Sequence, residues 1–491
     1  MSFFSTRGGA CVTASQAILY GLADNSGLYV PAMFPYISRE NMVEMTGMDY
    51  QARAVEILKY FLEDFSLREI EAAVAAAYGE GKFDDAKIAP LRMLDQRTAV
   101  LELFHGPTLA FKDMALQLLP YLTTLSAKKN AEEREIAILV ATSGDTGKAA
   151  LEGFKDVPGT SCTVFYPKDG VSRVQELQMT TTGGGNTHVI SVNGNFDDAQ
   201  TGVKELFASE DFINKMNALG KRLSSANSIN FGRLAPQIVY YFSAYADLLG
   251  SRQIAMGDKI NFVVPTGNFG NILAAYYAKK MGLPIGRLIC ASNHNNVLTD
   301  FFNTGVYSTH RTFMKTTSPS MDILVSSNLE RLLFELCERD GELVSVWMNL
   351  LKESGSYSIG AQRLEEVQKH FAAGFANNRE TAMHIKHVYE RYDYVMDPHT
   401  AVAGYVLDRY REETGDNTLC VIVSTASPYK FSSDVLEALQ VEHTEANAAQ
   451  KLMALTGIGI PKQVAELDTL PVHHTASCEK EGMAEAVLKE F

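Results

Sequence analysis

Four stretches place chemistry-bearing residues directly after apolar runs. AVLELF leads into His105-Gly106-Pro107-Thr108-Leu109-Ala110-Phe111-Lys112-Asp113-Met114, and EIAILVAT into Ser143-Gly144-Asp145-Thr146-Gly147-Lys148. INFVVPT leads into Gly267-Asn268-Phe269-Gly270-Asn271, and TLCVIVS into Thr425-Ala426-Ser427-Pro428-Tyr429-Lys430. Each apolar run has the composition of a buried strand, and α/β sheets bind ligands beyond the carboxyl ends of their strands. Lys112 is either a solvated lysine in a first helical turn or an amine held in a cleft. Two of the loops are glycine-rich strand-to-helix turns, the usual device for holding an anion on backbone N–H groups at a helix start. Neither matches a common nucleotide fingerprint. In SGDTGKAA the glycines are too close and Ala follows Lys148, which breaks GxxxxGK[ST], while GNFGN lacks GxGxxG. Each alone is equally well a tight turn. Together with the lysine they describe an anionic ligand whose other end meets an amine.

Pyridoxal 5'-phosphate meets that description. It needs a lysine for its Schiff base, a phosphate cradle and a partner for its ring nitrogen. The lysine must reach its neutral form from a pKa of about 10.4, which burial and nearby cations assist. Phe111, beside Lys112, suits an apolar wall.

The elements that must carry these loops follow from the alternation between residues 97 and 295. Apolar β-rich runs (TAVLELF, EIAILVATS, CTVFYP, HVISV, INFVVPT, RLICAS) alternate with helical periodicity in MALQLLPYL, GKAALEGF, VSRVQELQM, FDDAQTGVKELF and FGRLAPQIVYYFSAYADLLG. This is the α/β class, with parallel sheets and right-handed crossovers. Near-continuous apolar strands fit sheets covered on both faces. Residues 1–90 read as a more helical, separate region. Residues 300–390 lack the βα rhythm and read as a helical insertion that includes RLEEVQKHFAAGF. The rhythm resumes after Pro398, and the segment after residue 440 reads as helical and packed.

At 491 residues the chain holds two or three domains, and a net charge of −14 with no basic tract argues against a nucleic-acid partner. No apolar run reaches the roughly 20 residues that span a bilayer, so no membrane partner is expected. The six cysteines show no CxxC spacing, and His473, His474 and Cys478 read as surface, so no metal site is expected. The N-terminus lacks the apolar core of a signal peptide. These features describe a reduced, cytoplasmic protein.

The motifs HGPTLAFKDM, SGDTGKAA, VPTGNFGN, DPHTAVAG and STASPYKF, in that order, resemble threonine synthase, of the tryptophan-synthase-β-like class of pyridoxal-phosphate enzymes. STRGG, GLADNSGLYVP, VSRVQELQM and SINFGRLAPQ extend the resemblance over nearly the whole chain. It implies the fold type II architecture: two open βα domains with the cofactor in the cleft. The small, substrate-clamping domain would span 131–255, and the large one 91–130 with 256–491. It implies that Lys112 forms the Schiff base, that Gly267, Asn268, Phe269, Gly270 and Asn271 wrap the cofactor phosphate, and that Thr425 bonds the ring nitrogen. Ser143, Gly144, Asp145 and Thr146 match the loop that holds the substrate carboxylate, with a carboxylate at Asp145 where many relatives of the wider class carry asparagine.

The implied substrate, O-phosphohomoserine, needs a second phosphate site. Lys148 and Arg233 are the candidates, followed by Asn230, Ser172 and Arg7; a structural salt bridge is an equal reading of Arg233. The implied reaction adds water to O-phospho-L-homoserine and gives L-threonine and phosphate. A phospho-lyase giving 2-oxobutyrate and a non-catalytic paralogue are the alternatives, and the assembly is a monomer or homodimer. GLADNSGLYVP departs from the usual GLAPDGGLYVP, although Asn25 tolerates left-handed geometry.

Overall fold

The computed structural model describes residues 1–142, 144–168 and 170–491. The chain opens with an antiparallel pair, β1 (Phe3–Ser5) and β2 (Tyr29–Pro31). Four helices follow or interleave with it: Ala14–Tyr20, Arg39–Glu44, Tyr50–Leu58 and Leu67–Tyr78. The last is closed by a capping box in which Ser66 and Glu69 satisfy each other's backbone N–H. This N-terminal region shares its hydrophobic core with the remainder of the chain. Phe3 and Phe61 pack on Phe231 at ring-centroid distances of 4.6 and 5.7 Å, within one shared core. In the connection between β1 and β2, Ser26 rather than Asn25 takes the left-handed conformation, at φ 61°. The Asn25 side chain instead ties the turn down, accepting from Ser5 and Gly27 and donating to the carbonyls of Arg7 and Gly8.

The chain then runs through β3 (Leu91–Met93), β4 (Thr98–Glu102), β5 (Glu135–Ala141), β6 (Thr160–Pro167), β7 (Thr187–Val192) and β8 (Lys221–Ser224). After β9 (Ile260–Pro265) and β10 (Ile285–Ser292) comes a small antiparallel pair, β11 (Val306–Ser308) and β12 (Ser356–Ser358). The last strands are β13 (Phe371–Phe375), β14 (Cys420–Ser424) and β15 (Ala476–Cys478). They build two principal sheets. The larger has the order β13-β10-β9-β14-β4-β3, parallel except for β3, and the smaller has the order β15-β7-β6-β5-β8, parallel throughout. β4, β9 and β14 are buried along their whole length, as continuous apolar runs between two helical layers must be.

Three elements differ from the sequence reading. FAAGF does not extend a helix. The helix Ala361–Gln368 ends first, and Phe371–Phe375 becomes the edge strand beside β10. Small residues permit it, since a Cβ on Gly374 would lie 2.9 Å from a Val406 methyl of the covering helix. MALQLLPYL is two helices, Asp113–Leu116 and Leu119–Lys129, the second starting with Pro120 in its first turn. The chain after residue 440 is not all helix, and it does not stay on the larger sheet. β15 joins the smaller sheet beside β7, and Met483 and Val487 of the final helix pack with Ile190, Val192 and Val203. Strands of three to five residues at sheet edges leave little periodic signal. No described helix is long and apolar enough to cross a membrane.

The carboxyl end of β4 is fixed by charge. His105 lies between Asp84 at 2.6 Å and Glu102 at 2.9 Å. Burial alone would push its pKa down, but the hydrogen bonds to the two carboxylates outweigh it and raise it to about 9. A pKa raised on folding contributes stability that is complete below the unfolded value near 6.5 and is lost as pH rises through about 9. His105→Gln should therefore lower unfolding stability by about 1–2 kcal/mol at pH 6, allowing for solvent screening. The gap between variant and wild type should close by about pH 10 in chemical denaturation; a gap independent of pH would contradict the charge assignment.

Candidate active site

The loop carrying Lys112 is laced to the loop after β14. Leu103 N–H donates to Ser424 C=O at 3.0 Å, Phe111 N–H to Thr425 C=O at 2.8 Å, and Ser427 N–H to Leu109 C=O at 3.0 Å. Inside the loop, the Asp113 carboxylate accepts from the Thr108 N–H and hydroxyl, both at 2.8 Å. Gly106 is required there, because a Cβ would lie 2.6 Å from the Asp113 side chain. The result aims Lys112 into a cavity of about 2250 Å³ bounded by loops from both sheets.

Lys112 Nζ lies 3.2 Å from Ser320 Oγ and 3.4 Å from Asp145 Oδ2. Burial pushes its pKa down, the Asp145 charge resists, and Lys430 and Arg233 reinforce the fall. Asp145 opens the helix Asp145–Phe154, where a negative charge also suits the helix dipole. Its Oδ1 takes Lys430 Nζ at 2.8 Å and Gln175 Nε2 at 3.3 Å, and its Oδ2 takes Ser320 Oγ at 3.1 Å besides Lys112. Burial works against the charge of Asp145, yet Lys430 and Lys112 hold it well below the usual carboxylate range. Gly144 takes φ 135°, and a Cβ there would meet Gln175 at 2.4 Å.

Gly267, Asn268, Phe269, Gly270 and Asn271 line the opposite wall, at the start of the helix Gly270–Lys280. Phe269 is held left-handed at φ 65°. The loop is braced from behind: Ser326 Oγ donates to Gly267 C=O at 2.7 Å, and Asn328 donates to Asn268 C=O through its N–H and its side chain, both at 3.0 Å. Asn271 Oδ1 accepts from the hydroxyls of Tyr240 (2.5 Å) and Tyr241 (2.6 Å), whereas its Nδ2 is buried without a partner. Arg233 also lines the cavity. It is buried, donates from Nη1 to Ala226 C=O at 2.5 Å, and leaves Nε unpartnered. Burial pulls its pKa down to about 10, and no described carboxylate pairs with it. A buried cation with no carboxylate partner and a glycine loop at a helix start, on the wall of one cavity, fit bound anions. The loop, Thr425 and the amine of Lys112 are the donors that pyridoxal phosphate requires.

Thr425, Thr146 and Ser172 line the same cavity, and Ser172 also caps the helix Arg173–Thr180. Ser143 lies outside the described residues. Three sequence candidates are placed elsewhere. Lys148 pairs with Glu152 at 2.8 Å, one helical turn on, and donates to Thr182 Oγ1 at 2.9 Å. Asn230 caps the helix Phe231–Gly250, accepting from Gly232 N–H and donating to Ile18 C=O. Arg7 is held by both oxygens of Glu330. Asp145 has only acceptors to offer and spends them on two lysines, Gln175 and Ser320, so it is not a ligand for a substrate carboxylate.

The sequence reading gave no role to Ser320, Gln175, Lys430 or His399. Lys430 ends the loop that follows TLCVIVS, and His399 lies in DPHTAVAG, known only through its likeness. His399 Nδ1 faces Asp397 at 2.8 Å, and its Nε2 accepts Ser320 N–H at 3.2 Å, which pins the segment that touches Lys112. Ser320 comes from an irregular stretch with no sequence signal.

The family models "Threonine synthase N terminus", "Pyridoxal-phosphate dependent enzyme" and "Threonine synthase, C-terminal" match residues 2–78, 92–347 and 400–476. Human threonine synthase-like 1 is 39% identical over 477 residues, which are 95% of this chain, and the match spans 62% of that protein's length. Threonine synthase of Schizosaccharomyces pombe is 38% identical over 469 residues, 89% of each chain. Among solved structures, the PLP-bound threonine synthase from Brucella melitensis superposes with a TM-score of 0.89 at 37% identity, covering 100% of this chain and 99% of that one. The yeast threonine synthase structure gives 0.90 at 33% identity, covering 100% and 98%. With its buried lysine, its braced glycine loop and these matches over almost its full length, the chain belongs to the threonine synthase family of pyridoxal-phosphate-dependent enzymes.

Proposed function

We propose that this chain converts O-phospho-L-homoserine and water to L-threonine and phosphate. The observation that carries this reading is the meeting, in one cavity, of a buried amine, an unpaired buried guanidinium and a glycine loop at a helix start. The names of the relatives at 38% identity support the same reaction. Pyridoxal phosphate bound here supplies an electron-accepting ring that stabilises negative charge at the substrate carbons. Lys112, the loop 267–271 and Thr425, which line one cavity, would hold it.

The chain's own residues then have distinct tasks. Lys112 Nζ takes the proton from Cα, and burial, by lowering its pKa, favours the neutral amine that a base needs. A second proton leaves Cβ, phosphate leaves Cγ, a proton enters at Cγ, and water then gives its OH to Cβ while a proton returns to Cα. Lys112 is the amine positioned to carry protons between these carbons. Arg233, on the cavity wall and without a carboxylate partner, holds the substrate phosphate by its charge. The substrate carboxylate goes to Thr146 and the first N–H groups of the helix that Asp145 opens.

Incubation with O-phospho-L-homoserine should release phosphate and threonine in equal amounts. Phosphate with 2-oxobutyrate would move the function to a phospho-lyase, and no phosphate would overturn the substrate. Lys112→Ala should lower turnover by about 10³-fold or more, as loss of an essential base and cofactor anchor does. Arg233→Ala should raise KM for the phosphorylated substrate by about 30-fold or more, the usual loss for a buried charged contact. An unchanged KM would remove Arg233 from the phosphate site.

A further inference from the structure

Lys430 is a second buried amine in the cavity, and no step of the proposed reaction uses it. Its side chain is 1% exposed, its Nζ lies 2.8 Å from Asp145 Oδ1, and it donates to Thr108 C=O at 2.9 Å. The other oxygen of Asp145 lies 3.4 Å from Lys112 Nζ. One buried carboxylate therefore serves two buried lysines.

The charge balance of this cluster decides which amine stays protonated. With Asp145 and Lys112 alone, the pair would sit as an ion pair and the carboxylate would hold the proton that Lys112 must release. With both lysines protonated, Lys112, Lys430 and Arg233 outweigh Asp145 and Asp113, and the cluster carries an excess positive charge inside the protein, where uncompensated charge is costly. Releasing one proton removes the excess. The amine that releases it is the one held less tightly. Lys430 has the shorter contact to Asp145 and a carbonyl besides, whereas Lys112 has a 3.4 Å contact and one hydroxyl.

The other titratable groups around the cluster do not reverse this. Arg233 adds positive charge near Lys112, and Asp113, which accepts from Thr108, places a negative charge near Lys430. Lys148 and Glu152 pair with each other, and His399 uses its Nε2 to accept Ser320 N–H. The carboxylate at Asp145 and the amine at Lys430 thus form a matched pair. We propose that Lys430 is a positioning residue: it supplies the counter-charge of Asp145, so that Lys112 rather than Lys430 gives up its proton and becomes the reactive amine. This rests on the reading of Lys112 as the cofactor lysine.

The test is the rate at which the full-length chain, stripped of cofactor, captures pyridoxal phosphate covalently across pH 6–10, followed by absorbance. Capture needs the neutral amine, so its pH midpoint reports on Lys112. Lys430→Met should move the midpoint up by about one unit or more, the effect of losing a cation at this range, while Lys430→Arg should leave it near wild type. The double variant Asp145→Asn/Lys430→Met, which removes both charges, should bring the midpoint back toward wild type. Should Lys430→Met fail to fold, Asp145→Asn alone must lower the midpoint. An unmoved midpoint in Lys430→Met, or a double variant no nearer wild type than Lys430→Met, would overturn the proposal. A role in packing alone would change stability without moving the midpoint. Equal covalent capture by Lys112→Ala protein would instead overturn the cofactor lysine itself, and this inference with it.

Discussion

A carboxylate taken out of water must be paired, and in this fold Asp145 finds its partners across the cleft. It opens a helix that packs on the smaller sheet, while Lys112 and Lys430 stand at the ends of β4 and β14 in the larger one. The contact joins the two sheets at the cavity that Lys112 and Lys430 line. Burying the lysines and the carboxylate together costs less than burying any one of them charged and alone. Gln175 and Ser320, also on Asp145, draw two further segments to the same point.

The parallel sheets make this convergence possible. In a parallel sheet every strand ends at the same edge, so the loops after β4, β9 and β14 meet there. β4 and β14 are neighbours, and the backbone hydrogen bonds between their trailing loops fix Lys112 relative to Thr425 and Lys430. β9 lies on the other side of β14 and delivers the glycine loop to a helix start. The N-terminal helices add depth to the core, and the Tyr240 and Tyr241 hydroxyls orient Asn271 from beneath.

Much of this was legible in the sequence because strand-end loops are local features. Lys112, the loop 267–271 and Thr425 follow apolar runs and needed no knowledge of distant partners. The misplaced residues divide by cause. Lys148 carried its own warning, a glutamate four residues on, which is the spacing of a helical ion pair. Asn230, just before an apolar helix, had the signature of an N-cap. The pairing of Arg7 with Glu330, and of Lys430 with Asp145, joins residues far apart in the chain and left no local trace. β13 and β15 were hidden because a short strand at a sheet edge takes its structure from its neighbour's unpaired backbone rather than from its own periodicity.

The account turns on which of the two buried amines meets the cofactor, and a chemical label answers that directly. The cofactor-loaded enzyme would be reduced with borohydride, digested and mapped by mass spectrometry. The account predicts a pyridoxyl group on Lys112 and an unmodified Lys430. A label on Lys430, or no covalent label at all, would contradict it.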